Sequence, residues 1–582
     1  MTHPKKLSRA VAAVIGAGAI ALPGAAGLFG ADAAAANPNT PRDAGRLAAH
    51  LLDQDITWET CNFGRPVFDA VPGLGCANIT VPRDWNNPTD GNTITVRVSR
   101  TQTAGANRQG IALVNPGGPG GSGLIWGPAM AVRAPELAQQ FDFYGFDPRG
   151  VGQSTPLVCT YTPTAGASYE NDQRDRVNGC LENPLTPFIN TDQTAHDMDF
   201  IRALMGEDKL SYVGYSYGTW LGSWYQRTFP QHSHRFLLDS ATDLTRKSLQ
   251  ETWDLQPRSR DRHFQEMFLP YVGRNAELFD APSNDPRELR EYWERAGGNR
   301  ELLGQIISAN YILPAMYNNT DYPTAAVLAA YYMGTALPQG ADIAAARAAL
   351  IDITNQAAGS GRLDATQVER LREMEANALR QIDEKIATDA AAQNGTPVRY
   401  NMTFEAIRCQ DGEWNKSSGY WNAWLADLDR KAPWIAPFMD APACRFWPAA
   451  TEMPNPRGNS LPQSIIVQSE FDAATPYEAG ERSARQLNNT SFIAVDNEGS
   501  HGLYPYGTEC VDTAIETYFL TGRTPGNRTV CGAVPLPLEN QVFPVGADLG
   551  APGQNHMKMR SDAVKEANRI VDRVLADQTP NN

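Results

Sequence analysis

The sequence predicts an α/β fold, a mostly parallel, doubly wound sheet that a large helical insertion interrupts. Four short apolar runs each end in a polar or glycine-containing turn, and they lie at 110–114, 141–146, 210–213 and 235–238. Buried parallel strands have this pattern, and helix-like stretches at 194–205 and 219–228 lie between them. Strand-like segments resume at 464–468 and 491–495, so we expect the sheet to be completed after the interruption.

Helical periodicity dominates the stretch between these two groups of strands. We expect residues 245–455 to form a helical cap, which divides the core into residues 37–244 and 456–582. The clearest helix lies at 362–387, where apolar residues share one face: Val368, Leu371, Ala378, Ile382 and Ile386. Asp364, followed by Gln367, has the pattern of an N-terminal capping box.

The first 36 residues have the features of a secretory signal peptide. Basic residues precede an apolar run at 10–29, and small residues at 31–36 offer cleavage sites. The alternative is a membrane anchor, which Pro23 and two glycine-containing breaks disfavour. We expect a secreted, extracellular protein that has no stable membrane association once residues 1–36 are removed.

The cysteines agree with export. All eight follow the predicted signal, and an even count in an exported protein predicts disulfides. The eight fall into four local pairs in chain order, and we expect these pairings: Cys61–Cys76, Cys159–Cys180, Cys409–Cys444 and Cys510–Cys531. A metal site is the competing interpretation, but no C-x-x-C or clustered Cys/His spacing supports one, and we expect none.

The net charge narrows the class of partner. The formal charge is −15, and no block of basic residues reverses it locally. A nucleic acid or an anionic membrane surface is therefore not the expected partner. The acidity is typical of a soluble extracellular protein.

The segment Gly214-Tyr215-Ser216-Tyr217-Gly218 matches the G-x-S-x-G pattern of a nucleophilic serine. It follows a strand-like run and precedes a helix-like stretch, which is the context that the motif requires. Side chains at the two glycine positions would clash in the strained turn, and the following helix directs its positive end at the serine. We expect Ser216 to be the nucleophile of an α/β-hydrolase fold. The alternative is a tight strand-to-helix turn with an incidental serine.

A serine hydroxyl needs a base, and in this fold the chain order is serine, then Asp or Glu, then histidine. His501 directly follows a strand-like run, which places it on a loop at the end of the last core strand. Asp472 opens the turn after the run at 464–469 and is the expected acid, with Glu470 as the alternative. The other downstream histidines lie before a strand, in the insertion or near the C-terminus: His232, His234, His263 and His556.

The glycine-rich segment 115–123 follows a buried strand and is the expected oxyanion loop. Glycine lets the backbone approach a substrate closely, and an anionic intermediate needs backbone N–H donors. We assign one donor to Gly118, with Gly117 as its near neighbour, and the other to Tyr217, the residue after the nucleophile. A phosphate-binding loop is excluded because the G-K-[ST] ending is absent.

The motifs together resemble the tripeptidyl aminopeptidase branch of the prolyl aminopeptidase family of serine peptidases, which are typically secreted by actinobacteria. Five segments carry the resemblance: 115–123, 146–154, 214–218, 472–476 and 499–502. The resemblance runs from about 55 to 535, places the cap of that family at 245–455, and includes 405–411 within it. It implies an α/β-hydrolase that needs no cofactor and that removes short peptides, or single residues such as proline, from free N-termini. Relatives usually carry Pro-Val before Thr475, where this chain has two alanines.

A large cap over the site would block the interior of a protein chain and admit only a chain end. An α-ammonium group then needs acidic partners, and Glu405, Asp411 and Glu413 are candidates in the insertion. The expected partners are therefore peptides with free N-termini. The alternative is a carboxylesterase that acts on lipid or small-molecule esters, since it needs the same triad and the family includes esterase-like members.

Overall fold

A nine-stranded sheet forms the centre of the computed structural model, which describes residues 43–103, 105–335, 338–448, 450–456, 460–547, 549–550 and 561–577. The strands are β1 (Gly75–Pro82), β2 (Thr93–Arg100), β3 (Ile111–Asn115), β4 (Asp142–Asp147), β5 (Cys159–Tyr161), β6 (Leu210–Tyr215), β7 (Ser233–Asp239), β8 (Val398–Tyr400), β9 (Ser460–Ser469), β10 (Asn488–Asp496) and β11 (Arg528–Gly532). In the sheet their order is β1-β2-β4-β3-β6-β7-β9-β10-β11. The remaining two strands, β5 and β8, form a small antiparallel sheet of their own.

Helices connect these strands on both sides of the interruption. In the first part of the chain they are α1 (Ala44–Leu47), α2 (Trp126–Arg133), α3 (Pro135–Ala138), α4 (Tyr169–Leu181), α5 (Thr191–Leu204) and α6 (Tyr217–Thr228). In the last part they are α18 (Tyr477–Gln486), α19 (Glu509–Thr521) and α20 (Asp562–Asp577). The sheet is parallel from β4 to β11, and only β1 and β2 join it antiparallel. The predicted α/β-hydrolase class is confirmed.

The sheet's parallel strands end at a common edge, and the register shows which residues meet there. Asn115 pairs with Gly214, and Tyr215 pairs with Asp239. Every residue of β3, β4 and β6 is buried, because helices cover both faces of a parallel sheet. Their carboxyl ends therefore form a rigid rim, which is where ligands bind in this class of sheet.

Between β7 and β9 the chain is almost entirely helical. The helices are α7 (Gln250–His263), α8 (Leu269–Arg274), α9 (Ala276–Phe279), α10 (Pro286–Arg295), α11 (Leu302–Ile307), α12 (Leu313–Tyr317), α13 (Tyr322–Met333), α14 (Ile343–Gly359), α15 (Ala365–Asn394), α16 (Thr403–Gln410) and α17 (Ser418–Lys431). Two π-helical turns, Phe264–Phe268 and Ser308–Ile312, join α7 to α8 and α11 to α12. We call the chain from α7 to α17 the helical insertion.

The longest helix of the insertion, α15, shows how the apolar pattern is used. Asp364 and Gln367 form the capping box that fixes its first turn. The face bearing Leu371 and Ile382 packs into the insertion's own core. Ile386, expected on the same face, is exposed because the last turns of the helix extend beyond that core.

All eight cysteines are paired as Cys61–Cys76, Cys159–Cys180, Cys409–Cys444 and Cys510–Cys531. Cys159–Cys180 joins β5 to α4, and Cys510–Cys531 joins α19 to β11. Cys409–Cys444 ties α16 to the segment that follows α17. The signal peptide expected at 1–36 lies outside the described residues. Among the described helices, none combines the length and the hydropathy that a membrane span requires.

Removing the Cys409–Cys444 disulfide should destabilise the protein. The bond closes a loop with a sequence separation of 35, so replacing both cysteines with alanine should lower the free energy of unfolding by roughly 3–4 kcal/mol. Urea unfolding of the two forms measures the difference, and peptide mapping without reductant checks the pairing. An unchanged unfolding midpoint, or free thiols at these positions, would contradict the prediction.

Candidate active site

The predicted nucleophile lies on a strained turn between β6 and α6. Ser216 has φ +56°, a left-handed conformation that is uncommon for a residue with a side chain. Its N–H donates to the Asp239 carbonyl at the end of the neighbouring strand, at 3.0 Å. Ser216 is partly exposed, whereas its neighbours Tyr215 and Tyr217 are buried. The turn therefore presents this one side chain above the edge of the sheet.

Both glycines of the motif are required by close packing. A Cβ on Gly214 would lie 2.5 Å from the Gly218 carbonyl oxygen, which is closer than real Cβ contacts occur. A Cβ on Gly218 would lie 2.8 Å from the Asn115 carbonyl oxygen. The turn can therefore form only with glycine at these two positions, which separates it from an incidental strand-to-helix turn.

The structure brings His501 and Asp472 into direct contact. Nδ1 of His501 lies 2.9 Å from both carboxylate oxygens of Asp472, and both side chains are buried. The carboxylate also accepts the N–H groups of Ala474 and Thr475, each at 2.8 Å, so its position is fixed. Nε2 of His501 is buried and has no hydrogen-bond partner among the described residues. That nitrogen is therefore open to accept a proton.

The alternative acid Glu470 and His263 are engaged elsewhere, and His556 lies outside the described residues. Glu470 accepts the N–H groups of Asn497 and Ala547, at 3.0 and 2.9 Å. Nδ1 of His263 lies 2.7 Å from the Phe471 carbonyl, and burial lowers the pKa of His263 to about 4, so it is neutral near pH 7. His263 supports the turn that carries Asp472 and does not replace His501.

The glycine-rich loop at 115–123, here called the oxyanion loop, packs directly on the nucleophile. A Cβ on Gly117 would lie 2.9 Å from Cβ of Ser216 and 3.0 Å from the Tyr217 nitrogen. The Gly117 N–H is already donated to the Asn115 side chain at 2.9 Å. The Gly118 N–H makes no such bond to a described residue, and Tyr217 is the first residue of α6, where helical N–H groups are unpaired.

Asp239 is a functional residue that sequence reasoning missed. Its carbonyl accepts the Ser216 N–H, and its carboxylate accepts the N–H groups of Leu503 and Tyr504, the latter at 2.8 Å. The next residue, Ser240, accepts the Gly502 N–H through its hydroxyl at 2.8 Å. Asp239 is fully buried, and burial raises its pKa to about 7 while these hydrogen bonds oppose the shift. Asp239 therefore joins the turn of Ser216 to the loop that carries His501. The sequence feature that could have identified it is its position directly after a strand-like run.

The helical insertion contacts the loop that carries His501. The Tyr317 carbonyl accepts the His501 N–H at 3.0 Å, and the two rings pack edge to face with centroids 4.8 Å apart. Asn319 donates to the Glu498 carboxylate at 2.7 Å, and that carboxylate also accepts the N–H of Ser500. The base is therefore held from the insertion as well as from the sheet.

The insertion also contacts the oxyanion loop. A Cβ on Gly120 would lie 3.6 Å from the Phe404 nitrogen, at the start of α16. The neighbouring Thr403 donates its hydroxyl to the Gly150 carbonyl, just after β4, at 3.0 Å. The insertion therefore packs on the oxyanion loop as well as on the loop that carries His501.

Comparison with known proteins finds two matching families. The family described as "TAP-like protein" matches residues 432–531, and the family described as "alpha/beta hydrolase fold" matches residues 113–300. A tripeptidyl aminopeptidase of Streptomyces lividans is 30% identical over 544 residues, which cover 85% of this chain and 90% of that protein. The chain belongs to the tripeptidyl aminopeptidase family of α/β-hydrolases. It is a serine hydrolase.

Two further relatives bear on the chemistry. The serine protease Hip1 of Mycobacterium tuberculosis is 28% identical over 522 residues, covering 84% of this chain and 92% of that protein. A protein of the same organism named carboxylesterase B is 26% identical over 515 residues, covering 83% and 91%. Relatives of this tripeptidyl aminopeptidase family member therefore carry both peptidase and esterase names.

Asp411, predicted as an anchor for a substrate amine, is bonded within the protein. Asp411 is fully buried at the end of α16, where its carboxylate accepts the Thr191 N–H at 3.1 Å and also the Thr191 hydroxyl. The same hydroxyl contacts the Tyr217 phenol. Both carboxylate oxygens are therefore occupied, and Asp411 supports the residue after the nucleophile instead. Sequence alone did not show which side of α16 faces the sheet.

The other two predicted anchors differ in exposure. Glu413 is exposed, and its one hydrogen bond to a described residue is accepted by its backbone carbonyl, from the Ser248 hydroxyl at 2.9 Å. Glu405 is half-buried on α16, the helix whose first residues pack on the oxyanion loop. The structure therefore does not gather the three carboxylates into one site.

Replacing the nucleophile should abolish turnover and leave the fold intact. Because Ser216 alone supplies the attacking oxygen, Ser216→Ala should lower kcat by on the order of 10⁴- to 10⁶-fold, and His501→Ala comparably. Asp472→Asn should lose less, since the base remains. Hydrolysis of a chromogenic substrate gives the rates, and circular dichroism checks the fold. More than about a tenth of the wild-type rate in Ser216→Ala would contradict the assignment.

The stability of Asp411→Asn relative to wild type should depend on pH. Burial raises the pKa of Asp411 to about 7 in the folded protein, against an ordinary value of 3.8. Its contribution to stability is therefore fully present below about pH 4 and is lost as the pH rises towards 7. The variant lacks this titration, so its free energy of unfolding should rise relative to wild type by up to a few kcal/mol between about pH 4.5 and 7.5.

Urea unfolding of both proteins at the two pH values measures this change. Glu413→Gln is the matched control, because Glu413 is exposed on the segment just after Asp411 and should show no such change. An equal wild-type-to-variant difference at both pH values would contradict the prediction.

Proposed function

We propose that this protein is a secreted serine exopeptidase that releases short peptides from the free N-termini of peptide substrates through an acyl-enzyme. Ser216, Asp472 and His501 are its catalytic triad, and the N–H groups of Gly118 and Tyr217 form its oxyanion hole. The observation that carries the proposal is the contact of the helical insertion with two loops of the site, the loop of His501 through Tyr317 and the oxyanion loop through Phe404.

The chemistry follows from the atoms that the triad provides. Nε2 of His501 accepts the Ser216 proton as the serine oxygen attacks the scissile carbonyl. Asp472, fixed on Nδ1, stabilises the imidazolium that forms, and the N–H groups of Gly118 and Tyr217 stabilise the oxyanion. The imidazolium then protonates the leaving amine, and the released peptide remains bound to Ser216 as an ester. Water attacks this ester and gives a proton to Nε2 of His501, which returns it to the Ser216 oxygen as the peptide leaves with a free carboxyl group. These residues supply every group that the two half-reactions need, and no step calls for a metal or cofactor.

The insertion supports exopeptidase specificity through access. The insertion packs against the oxyanion loop and against the loop of His501, so it restricts the path of a protein chain through the site. Phe404 and Thr403 already contact the loop and the sheet edge there. A chain end needs space on one side only, so the arrangement favours a substrate with a free terminus. The relatives named tripeptidyl aminopeptidase support the N-terminus as that end.

Secretion is supported by two independent features. The first 36 residues have the composition of a signal peptide, and the eight cysteines form four disulfides. Disulfides persist in oxidising, extracytoplasmic compartments.

The second candidate function is a carboxylesterase. The relative named carboxylesterase B supports it, and an ester would use the same triad and oxyanion hole. The two functions differ in what the insertion must recognise. An ester needs an apolar surface, whereas a free N-terminus needs an acceptor for its charge.

A free substrate amine should be required for efficient hydrolysis. Acetylation removes the positive charge, so kcat/KM for an acetylated tripeptide amide should fall by on the order of 10²-fold against the free-amine form. A chromogenic amide such as tri-alanine p-nitroanilide, with and without the acetyl group, measures the ratio. Ser216→Ala protein controls for contaminating peptidases. Equal rates on the two amides, or faster turnover of long-chain esters, would favour the esterase.

A further inference from the structure

A small cavity of about 30 Å³ lies between the helical insertion, α4 and the segment 439–442, and we call it the tryptophan cavity. Four tryptophans line it, Trp253, Trp414, Trp421 and Trp424, together with the charged side chains of Asp254 and Arg408. By size it holds an ammonium-sized group or a water molecule and not a large side chain. None of these residues belongs to the triad or the oxyanion hole.

The tryptophan cavity lies close to the active site by two routes. The ring of Trp253 is 5.8 Å from the ring of Phe404, whose backbone packs on Gly120 of the oxyanion loop. On the other side, Gln256 follows Asp254 on α7 and donates to the Ala474 carbonyl at 2.9 Å, in the turn that carries the acid. The cavity is therefore joined, through Phe404 and Gln256, to the oxyanion loop and to the turn that carries Asp472.

One oxygen of Asp254 has no partner. Its Oδ2 accepts the Tyr420 hydroxyl at 2.7 Å and the Gln250 amide at 3.2 Å. Its Oδ1 is buried and makes no hydrogen bond to any described residue. Burial raises the pKa of Asp254. A carboxylate oxygen that is desolvated and unpaired is costly, so a positively charged donor at this position would be bound favourably.

Arg408 supplies a second unpaired group at the same cavity. It is only 4% exposed, and its guanidinium lies over the rings of Trp253, Phe404 and Trp414, 4.9–5.7 Å from their centroids. Its Nε is buried without an acceptor, and no hydrogen bond joins its guanidinium to a described residue. A neutral acceptor such as a carbonyl oxygen would satisfy these donors.

The charges around the tryptophan cavity favour a cation. Asp440 also lines it, and burial lowers the pKa of Arg408, a shift that the nearby Glu405 carboxylate partly opposes. Arg258, which interacts electrostatically with Asp254, is paired with the Asp427 carboxylate at 2.6 Å, and Arg445 interacts with Asp440. The charged side chains that line the cavity itself are two carboxylates, Asp254 and Asp440, and one guanidinium, and tryptophan rings add cation–π attraction for an ammonium group.

We propose that the tryptophan cavity binds the amino terminus of a peptide substrate, with the α-ammonium on Oδ1 of Asp254 and the first carbonyl oxygen on Arg408. The inference rests on the proposed exopeptidase function and identifies the residue that recognises the free amine. The first residue of a peptide carries both an ammonium group and a carbonyl oxygen. The ammonium group matches the unpaired acceptor, Oδ1 of Asp254, and the carbonyl oxygen matches the unpaired donor, Arg408. The distance to Ser216 then limits how many residues are released.

The test compares Asp254→Asn with wild type on tri-alanine p-nitroanilide and its N-acetyl form. The variant should lose at least about 10-fold in kcat/KM on the free-amine substrate and keep its rate on the acetylated one. Glu413→Gln is the control, because it removes an exposed carboxylate of the same insertion and should change neither rate. The retained acetyl-substrate rate shows that the variant is folded.

The outcomes separate this inference from the proposed function. If wild type itself does not distinguish the two substrates, the exopeptidase function fails. If wild type does and Asp254→Asn distinguishes them equally well, or loses both rates alike, Asp254 is not the anchor. A second measurement avoids turnover, namely calorimetric binding of tri-alanine amide to Ser216→Ala protein with and without Asp254→Asn. The substitution should weaken binding at least about 10-fold for the free amine and leave that of N-acetyl tri-alanine amide unchanged.

Discussion

The left-handed turn at Ser216 is the constraint on which the rest of the site depends. A non-glycine residue held at φ +56° costs on the order of 1–3 kcal/mol and persists only where its surroundings enforce it. Here β3, β6 and β7 end side by side, and their backbones approach one another within van der Waals contact at Gly117, Gly214 and Gly218. The buried parallel strands make that approach rigid. The geometry of the nucleophile is thus a property of the sheet edge and not of the serine alone.

The base is held from two directions. From the sheet, Asp239 and Ser240 accept the three N–H groups that follow His501. From the insertion, Tyr317 accepts the His501 N–H, and Asn319 holds the Glu498 carboxylate. Removing the insertion would therefore loosen the base as well as widen access to the site. Catalysis and substrate selection are linked by the same contacts.

The sequence predicted the parts of the fold that depend on local pattern. Each apolar run became a buried strand, and the spacing of Asp364 and Gln367 defined the start of α15. It also singled out Asp472 and His501, whose side chains lie in contact, because the order of serine, acid and base in this fold follows the strand ends. The sequence did not predict the role of Asp239, because a polar residue at the end of a strand is common and does not indicate which groups it will bind.

Residues in the insertion were predicted less well because their roles depend on contacts between distant segments. Asp411 and Glu413 are neighbours in the chain, yet one is fully buried against Thr191 and the other is exposed. Ile386 continues an apolar face that the insertion's core does not reach. The tryptophan cavity joins α7 to α16 and α17, which lie more than a hundred residues later in the chain, and no local pattern connects them.

A triad on a sheet edge can cleave esters and amides alike, so the choice of substrate must lie in the insertion. The decisive property of a buried carboxylate there is whether its oxygens are already satisfied. Both oxygens of Asp411 bond to Thr191, and an amine could bind only by breaking those bonds. Asp254 has one oxygen bonded and one without a partner, so an amine would add a bond and break none. The same residue type therefore stabilises the protein in one position and favours a charged ligand in the other.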